Sequence, residues 1–330
     1  MSEPIFLDVY GYRVELRSSS ASALENLAED FAYFRAEAAD GGRLIELFDA
    51  DPPYADLPAL EASVYTPRNV SYRDETRTYI DYSGRALAIH DRAGDVFRIY
   101  SRDADLLYEA AYLFLLAQCG EFFDAHGLYR VHALGVSIEN RAALILLPMG
   151  GGKSTLGAHL LEFPDIEILS DDSPLIDPRG SIHAFPLRLG LLPDAAHTIP
   201  EDRLRRINRM EFGPKLLVNY SYFAGRVRAQ ADPAILFLGR RSLSNQCTVT
   251  KAGRLAALIA MLPNCVIGLG LFQGMEFIFQ RSAWEISAKI IVAWRRLIAS
   301  VRLIRRSQVY HVTLGRDSKE NARVVHELLK

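Results

Sequence analysis

Residues 143–176 constrain the fold more than any other part of the chain. An apolar run, ALILL, leads into three consecutive glycines at 150–152, and the chain continues with helical spacing from Lys153. A second apolar run at 166–169 is followed by Ser170 and then by Asp171 and Asp172. This order predicts a strand, a tight loop, a helix and a second strand that ends in two carboxylates. We therefore expect an α/β class for this part of the chain.

The glycine turn matches most of the phosphate-loop pattern G-x-x-x-x-G-K-[ST]. In that pattern, backbone amides surround the phosphates, the lysine reaches the β- and γ-phosphates, and the hydroxyl binds magnesium. The first glycine is replaced by Leu147, and a chance glycine-rich turn before a helix is the alternative interpretation. The flanking strand, the helix and the acidic pair argue against chance. We expect ATP, or another nucleoside triphosphate, to bind Gly150, Gly151, Gly152, Lys153, Ser154 and Thr155.

The two aspartates are expected at the carboxyl end of a strand, where ligands collect in open α/β sheets. One carboxylate, Asp171, would hold Mg²⁺ together with Ser154. The other, Asp172, would accept the proton of an attacking hydroxyl. A helix cap or a turn would also explain one of the two aspartates.

The order of His132, Gly135-Val136, GGGKST and SDD resembles the HPr kinase/phosphorylase superfamily, whose nucleotide-binding core is shared with ATP-dependent phosphoenolpyruvate carboxykinase. The resemblance is strongest over residues 131–176 and extends toward the C-terminus. It implies a mixed-sheet P-loop kinase core, with a base toward a seryl hydroxyl in the acidic pair. It also implies nucleotide and magnesium contacts at Lys153 and Ser154, and a place for His132 near the transferred phosphate. From the sequence alone, a single histidine on a strand is more often structural.

Two features depart from that superfamily. The loop lacks its first glycine, and the later glycine-rich signature of the bifunctional kinase/phosphorylase is absent, because residues 185–190 match it only distantly. The chain therefore resembles the diverged kinase-like relatives, such as those of lasso-peptide and other peptide-modifying pathways. These act on substrates other than HPr, and phosphorolysis is not implied.

These observations predict a magnesium- and ATP-dependent kinase that acts on a serine of a peptide or protein, or on a small-molecule hydroxyl. Catalysis is assigned to Asp172, Asp171, His132 and Lys153. A nucleotide-dependent binding or regulatory module without phosphotransfer is the alternative from another class. A carboxykinase-type lyase is a third option, which lacks recognisable histidine and lysine ligands for a second metal.

The rest of the chain predicts two regions with a boundary near residue 125. Residues 1–125 form an N-terminal α+β region, a candidate for substrate or partner recognition, and residues 126–330 form the kinase domain. In the first region we expect a hairpin around Tyr10-Gly11, a helix at 22–38, a strand at 43–48, three strands over 76–100 and a helix at 105–123. In the second we expect strands at 132–138, 142–147, 234–238, 247–250 and 308–314, and a closing helix at 319–329.

Bulk properties restrict location and partners. A formal net charge of −2 gives no reason to expect nucleic acid, and three widely spaced cysteines suggest a reducing cytoplasm. No signal peptide is evident at the N-terminus. The apolar segment 255–279 is interrupted by polar residues and favours a buried helix followed by a core strand over a transmembrane span. A homo-oligomer is left open.

Two basic segments could meet the substrate. The first is the insertion at 182–235, where at least one basic residue should contact nucleotide or substrate. Its candidates are Arg203, Arg205, Arg206, Arg209, Lys215 and Arg226. The second is a basic amphipathic helix at 281–306, expected to pack one face on the core with its arginines in water. Docking of that helix to a membrane surface, an acidic partner or a subunit is the alternative.

Overall fold

The computed structural model describes residues 2–38, 41–191, 199–209, 213–268 and 283–330. Within these residues, seven α-helices accompany two nine-stranded sheets in which parallel and antiparallel pairs both occur. The mixed α/β class expected from the sequence is therefore confirmed. The chain divides into two compact units, the first built on residues 2–119 and the second mainly on 120–205 and on the described residues after 215.

The first unit contains a sheet with the strand order β3-β1-β2-β4-β9-β8-β7-β6-β5. Its strands are β1 (Ile5–Val9), β2 (Tyr12–Ser18), β3 (Arg35–Ala36), β4 (Arg43–Asp49), β5 (Ala62–Tyr65), β6 (Val70–Arg73), β7 (Arg77–Asp81), β8 (Ala86–Asp91) and β9 (Val96–Ser101). Helix α1 (Ala21–Asp30) follows β2, and helix α2 (Ala104–His126) follows β9 and continues past residue 119.

Local sequence explains most of the first unit. Tyr10 and Gly11 both have positive φ, which lets a two-residue turn close the β1–β2 hairpin as expected. The three strands at 76–100 and the helix after them are confirmed, and the Asp103 carboxylate caps α2 by accepting from the Leu106 amide at 3.1 Å. The helix expected at 22–38 is too long. It ends at Asp30, because Arg35–Ala36 pairs with β1 as an edge strand.

The second unit contains the strand order β10-β14-β15-β19-β12-β11-β13, with β21 joined to β19 and β20 to β21. Its strands are β10 (Tyr129–Arg130), β11 (Leu134–Ile138), β12 (Arg141–Leu146), β13 (Glu167–Ser170), β14 (Leu175–Ile176), β15 (Ile182–His183), β19 (Gln230–Arg241), β20 (Thr248–Lys251) and β21 (Gln308–Leu314). The strands β16 (Leu189–Leu191), β17 (Leu204–Arg209) and β18 (Gly213–Val218) form a separate sheet in the order β16-β18-β17. The helices are α3 (Lys153–Leu160), α4 (Tyr220–Phe223), α5 (Arg254–Met261), α6 (Ala283–Arg306) and α7 (Ser318–Leu329).

Strand direction decides where the phosphate loop and the aspartates lie. β11 is antiparallel to both β12 and β13, so β12 and β13 run the same way with β11 between them. β19 is parallel to β12, and β21 is parallel to β19. The carboxyl ends of β12, β13 and β19 therefore share one edge of the sheet with the start of β11. We call this the loop edge.

One face of this sheet packs on α3 and α7 in an apolar cluster that includes Leu156, Leu160, Val325, Ile145 and Phe237. Burial of such side chains contributes about 25 cal/mol per Å² of apolar surface, and it holds α3 directly behind the loop edge. The strands expected at 234–238, 247–250 and 308–314 and the closing helix are all present. These elements form the support for the site.

The expectation of a buried helix in the apolar segment 255–279 was wrong in part. α5 is only half buried, because Ala257 and Met261 face inward while Leu255 and Ile259 are largely exposed. The core strand expected after it lies outside the described residues. Among the described helices, α2 is long and apolar enough to cross a membrane, but 78% of its most apolar window is buried inside the protein, as in a core helix.

The basic helix α6 also differs from expectation. Leu303 and Ile304 pack inward as predicted, yet Ile290 and Trp294 are exposed. Arg296 points inward instead of into water, because the carboxylate of Asp124 on α2 lies opposite and pairs with it. The ion pair with Asp124, which is distant in sequence, therefore places Arg296 inside the protein although the amphipathic pattern predicted it on the surface.

Candidate active site at the loop edge

The glycine loop adopts a backbone conformation that favours glycine at three positions. Gly150 and Gly152 have φ of 72° and 93°. The Gly151 amide donates to the Pro148 carbonyl at 2.9 Å, and a Cβ on Gly151 would lie 2.8 Å from that same oxygen. Leu147, in place of the pattern's first glycine, is buried in the apolar cluster and leaves this turn intact. The loop therefore closes without its first glycine, in a way the sequence pattern did not anticipate.

Lys153 begins α3 and turns its side chain back under the loop, where it is 7% exposed. Its Nζ donates to the Leu147 carbonyl at 3.0 Å and lies 2.8 Å from His132 Nε2. The Asp172 carboxylate lies 3.4 Å from the same nitrogen. A buried ammonium requires such partners, since desolvation of an unpaired charge costs several kcal/mol. Lys153 Nζ is thus fixed by partners from three separate segments of the chain.

Ser154 and Asp171 meet beside it. The Ser154 hydroxyl donates to Asp171 Oδ2 at 2.7 Å, and the amide of Gly190 reaches the same oxygen at 3.5 Å. Hydroxyl and carboxylate oxygens suit Mg²⁺, which usually takes one or two protein ligands and fills its octahedron with phosphate oxygens and water. In the described part of the chain, no cluster of three or more histidine, cysteine or acidic side chains could hold a metal without such help. The Ser154–Asp171 pair fits a metal that arrives with a nucleotide. Thr155 follows within the first turn of α3, where the pattern places it.

Asp172 is the solvent-exposed residue of the acidic pair, whereas Asp171 is buried. Its side chain is 51% exposed, and its Oδ1 lies 3.2 Å from His132 Nε2. The turn after β13 is closed by Ser170, whose hydroxyl accepts from the Ser173 amide and donates to the Phe185 carbonyl. Ser170 therefore supplies the side-chain hydrogen bond that closes this turn. Both carboxylates extend toward the loop edge.

His132 is held by Asn264, which sequence analysis did not assign to the site. The Asn264 carbonyl accepts from the His132 amide at 2.8 Å, and Asn264 Oδ1 lies 3.2 Å from His132 Nδ1. Asn264 Nδ2 donates to the Ala260 carbonyl at 2.8 Å, which only the amide nitrogen can do, so Oδ1 must face the ring. His132 Nδ1 is thus placed to donate to Asn264, and Nε2 lies within reach of both the Lys153 ammonium and the Asp172 carboxylate. A π-helical turn, Leu262–Val266, carries Asn264 to this place.

Two of the six basic residues named in the insertion contact other parts of the protein. Arg226 donates to the carbonyls of Leu161 and Phe163 at the end of α3, which is a structural role. Arg203 pairs with Asp202 and donates to the Ser221 hydroxyl. The side chain of Arg209 lies outside the described part of the chain.

Two arginines at the end of β19, Arg240 and Arg241, were not singled out from the sequence, although the run LFLGRR places them at a strand terminus. The parallel pairing of β19 with β12 brings them to the loop edge. Arg241 is on the face of β19 that meets the glycine loop, next to Gly152, and Arg240 is on the opposite face, away from the loop.

A scan against protein-family models found no match for this chain, and a search of curated proteins found no significant match.

Proposed function

We propose that the protein is a magnesium- and ATP-dependent kinase that transfers the γ-phosphoryl group to a hydroxyl, on a P-loop kinase core of the HPr kinase/phosphoenolpyruvate carboxykinase type. One observation carries the proposal. Lys153, Ser154, Asp171, Asp172 and His132 converge at the loop edge through polar contacts of 2.7–3.4 Å. A chance glycine turn would not gather these five side chains.

The arrangement supports a simple division of roles. Lys153 and the loop amides bind the β- and γ-phosphates, and Ser154 and Asp171 hold Mg²⁺. Asp172, the exposed carboxylate, takes the proton of the acceptor hydroxyl as the new O–P bond forms. The bond from the γ-phosphorus to its bridging oxygen breaks, and ADP leaves. His132 lies where it contacts both Lys153 and Asp172 and keeps them beside the transferring group.

The acceptor class follows from two lines of support. The resemblance to the HPr kinase/phosphorylase superfamily favours a serine of a peptide or protein. The exposure of Asp172 supports an acceptor that approaches from solvent, and a small-molecule hydroxyl fits the same opening. A reducing cytoplasm, as suggested by the sparse cysteines, would supply Mg-ATP.

The direct test is to incubate the protein with γ-labelled ATP and Mg²⁺ alongside peptides and proteins encoded by neighbouring genes. We expect label on a hydroxyl of one of them. Asp172→Asn should reduce transfer on the order of 10²–10⁴-fold while nucleotide binding is retained, because a general base contributes about that factor. Undiminished transfer by Asp172→Asn would remove Asp172 as the base.

A matched control is available at the opposite end of β13. Asp165 also faces a histidine, with His326 Nε2 at 2.8 Å, and it lies before β13 instead of after it. Asp165→Asn should leave transfer unchanged. Nucleotide binding without any transfer, in wild-type protein and with every acceptor, would favour the binding or regulatory module instead.

A further inference from the structure

Arg241 reaches the loop edge at the level of the glycine turn. Leu146, the last residue of β12, is paired with Leu238 on β19, and β19 continues for three more residues to Arg241. β12 has already ended at this level, and the loop that leads into α3 follows it. The end of β19 therefore runs alongside the loop where the other strand has stopped.

The face of the strand sends Arg241 toward the loop. Ile235 and Phe237 belong to the apolar cluster under α3, and side chains two residues apart share a face of a strand. Arg241 is on that face, and Arg240 is on the opposite one. A Cβ built on Gly152 would lie 3.2 Å from Arg241 Nη1, so the guanidinium rests against the last glycine of the loop.

Among the described residues, none forms a hydrogen bond or an ion pair with Arg241. Gly152 is also the cap of α3, where unpaired amides give the helix end a partial positive charge. A negative group placed between the guanidinium and the helix end would be stabilised by both. The fork of guanidinium donors fits phosphate oxygens in particular.

We propose that Arg241 is a phosphate-binding residue that contacts the terminal phosphoryl group of the nucleotide. This inference rests on the proposed nucleotide site. Lys153 reaches the phosphates from beneath the loop, and Arg241 reaches them from the β19 side, so the transferring group is held between two cations. Its negative charge is then balanced on both sides during transfer.

The test compares nucleotides with and without the terminal phosphate. Binding of Mg-ADP and of a non-hydrolysable Mg-ATP analogue is measured by calorimetry for wild type, Arg241→Ala, Arg241→Lys and Arg240→Ala. Arg241→Ala should weaken binding of the analogue by about tenfold to a hundredfold, the usual effect of losing a charged hydrogen bond, and binding of ADP much less. Arg241→Lys should recover part of the loss. Arg240→Ala, on the other face, should match wild type.

Equal losses for ADP and the analogue would overturn the assignment to the terminal phosphate, as would an Arg241→Ala variant that binds like Arg240→Ala. If wild type binds neither nucleotide, the proposed function fails and this inference with it. If wild type binds both and Arg241→Ala is unaltered, only the role of Arg241 fails. Superimposable thermal unfolding of the variants would exclude misfolding as the cause.

Discussion

The ion pair between Arg296 on α6 and Asp124 on α2 allows a quantitative prediction. The guanidinium and carboxylate meet in bidentate fashion, with Nε–Oδ1 at 2.9 Å and Nη2–Oδ2 at 2.6 Å. Their side chains are only 13% and 18% exposed. Arg296 Nη1 also donates to the carbonyl of Cys265 at 3.2 Å, next to Asn264. The pair therefore joins two helices and supports the turn that holds His132.

Removing one partner of a buried pair leaves the other charge desolvated, which costs 3–5 kcal/mol when burial is complete. Because this pair keeps some exposure, we expect about 3 kcal/mol from either Arg296→Met or Asp124→Leu. The double variant leaves no unpaired charge, so it should cost no more than either single change. The coupling energy between the two sites should thus be at least about 3 kcal/mol.

The assay is denaturant unfolding followed by tryptophan fluorescence, because both tryptophans, Trp284 and Trp294, lie on α6. The pair between Arg306, also on α6, and Asp232 is a matched control, since these side chains are 41% and 56% exposed. Its variants should cost about 1 kcal/mol or less. If the Arg296 and Asp124 variants cost no more than those of the exposed pair, the reasoning from burial is wrong.

Three further outcomes are expected. Gly239→Ala should destabilise the protein by about 1–3 kcal/mol in denaturant unfolding, because a Cβ there would lie 2.5 Å from the Leu147 side chain. Gly225→Ala is the control and should be nearly neutral, because a Cβ on Gly225 would have no heavy atom within 4 Å. Burial raises the pKa of the Cys265 thiol to about 11, which leaves little of the reactive thiolate at pH 8. Iodoacetamide should therefore label Cys265 more than about a hundredfold more slowly in folded than in unfolded protein, as measured by peptide mass spectrometry. Asn264→Leu should lower kcat of the proposed transfer on the order of 10²-fold with little change in KM for ATP, and a rise in KM alone would argue against a positioning role.

The parts of the site that depend on local sequence were predictable. The glycine turn, Lys153 and the two aspartates lie within 34 residues, in one strand–loop–helix–strand unit whose spacing defines their geometry. Asn264 was not predictable, because its contact with His132 joins positions 132 residues apart and depends on a π-helical turn. Arg241 required the parallel pairing of β12 with β19.

The difference between local and long-range contacts also explains which predictions about the fold were wrong. The hairpin at Tyr10-Gly11 was predictable because its turn chemistry is local. The end of α1 at Asp30 was not predictable, because residues Arg35–Ala36 pair with β1 and form the edge strand of the sheet. Arg296 was expected in water, and its inward position depends on a carboxylate 172 residues earlier. In each case a long-range partner outweighed the local pattern.

The contact between His132 and Asn264 has a consequence for how the protein is made. The chain leaves the ribosome from its N-terminus, so the glycine loop and both aspartates emerge long before Asn264 does. His132 can take its final position only after about 130 more residues have been synthesised, because its contact with Asn264 is non-local in sequence. A nascent chain therefore carries an unfinished site through most of its synthesis. Nucleotide binding by ribosome-bound chains of increasing length would mark the moment at which this unit completes its fold.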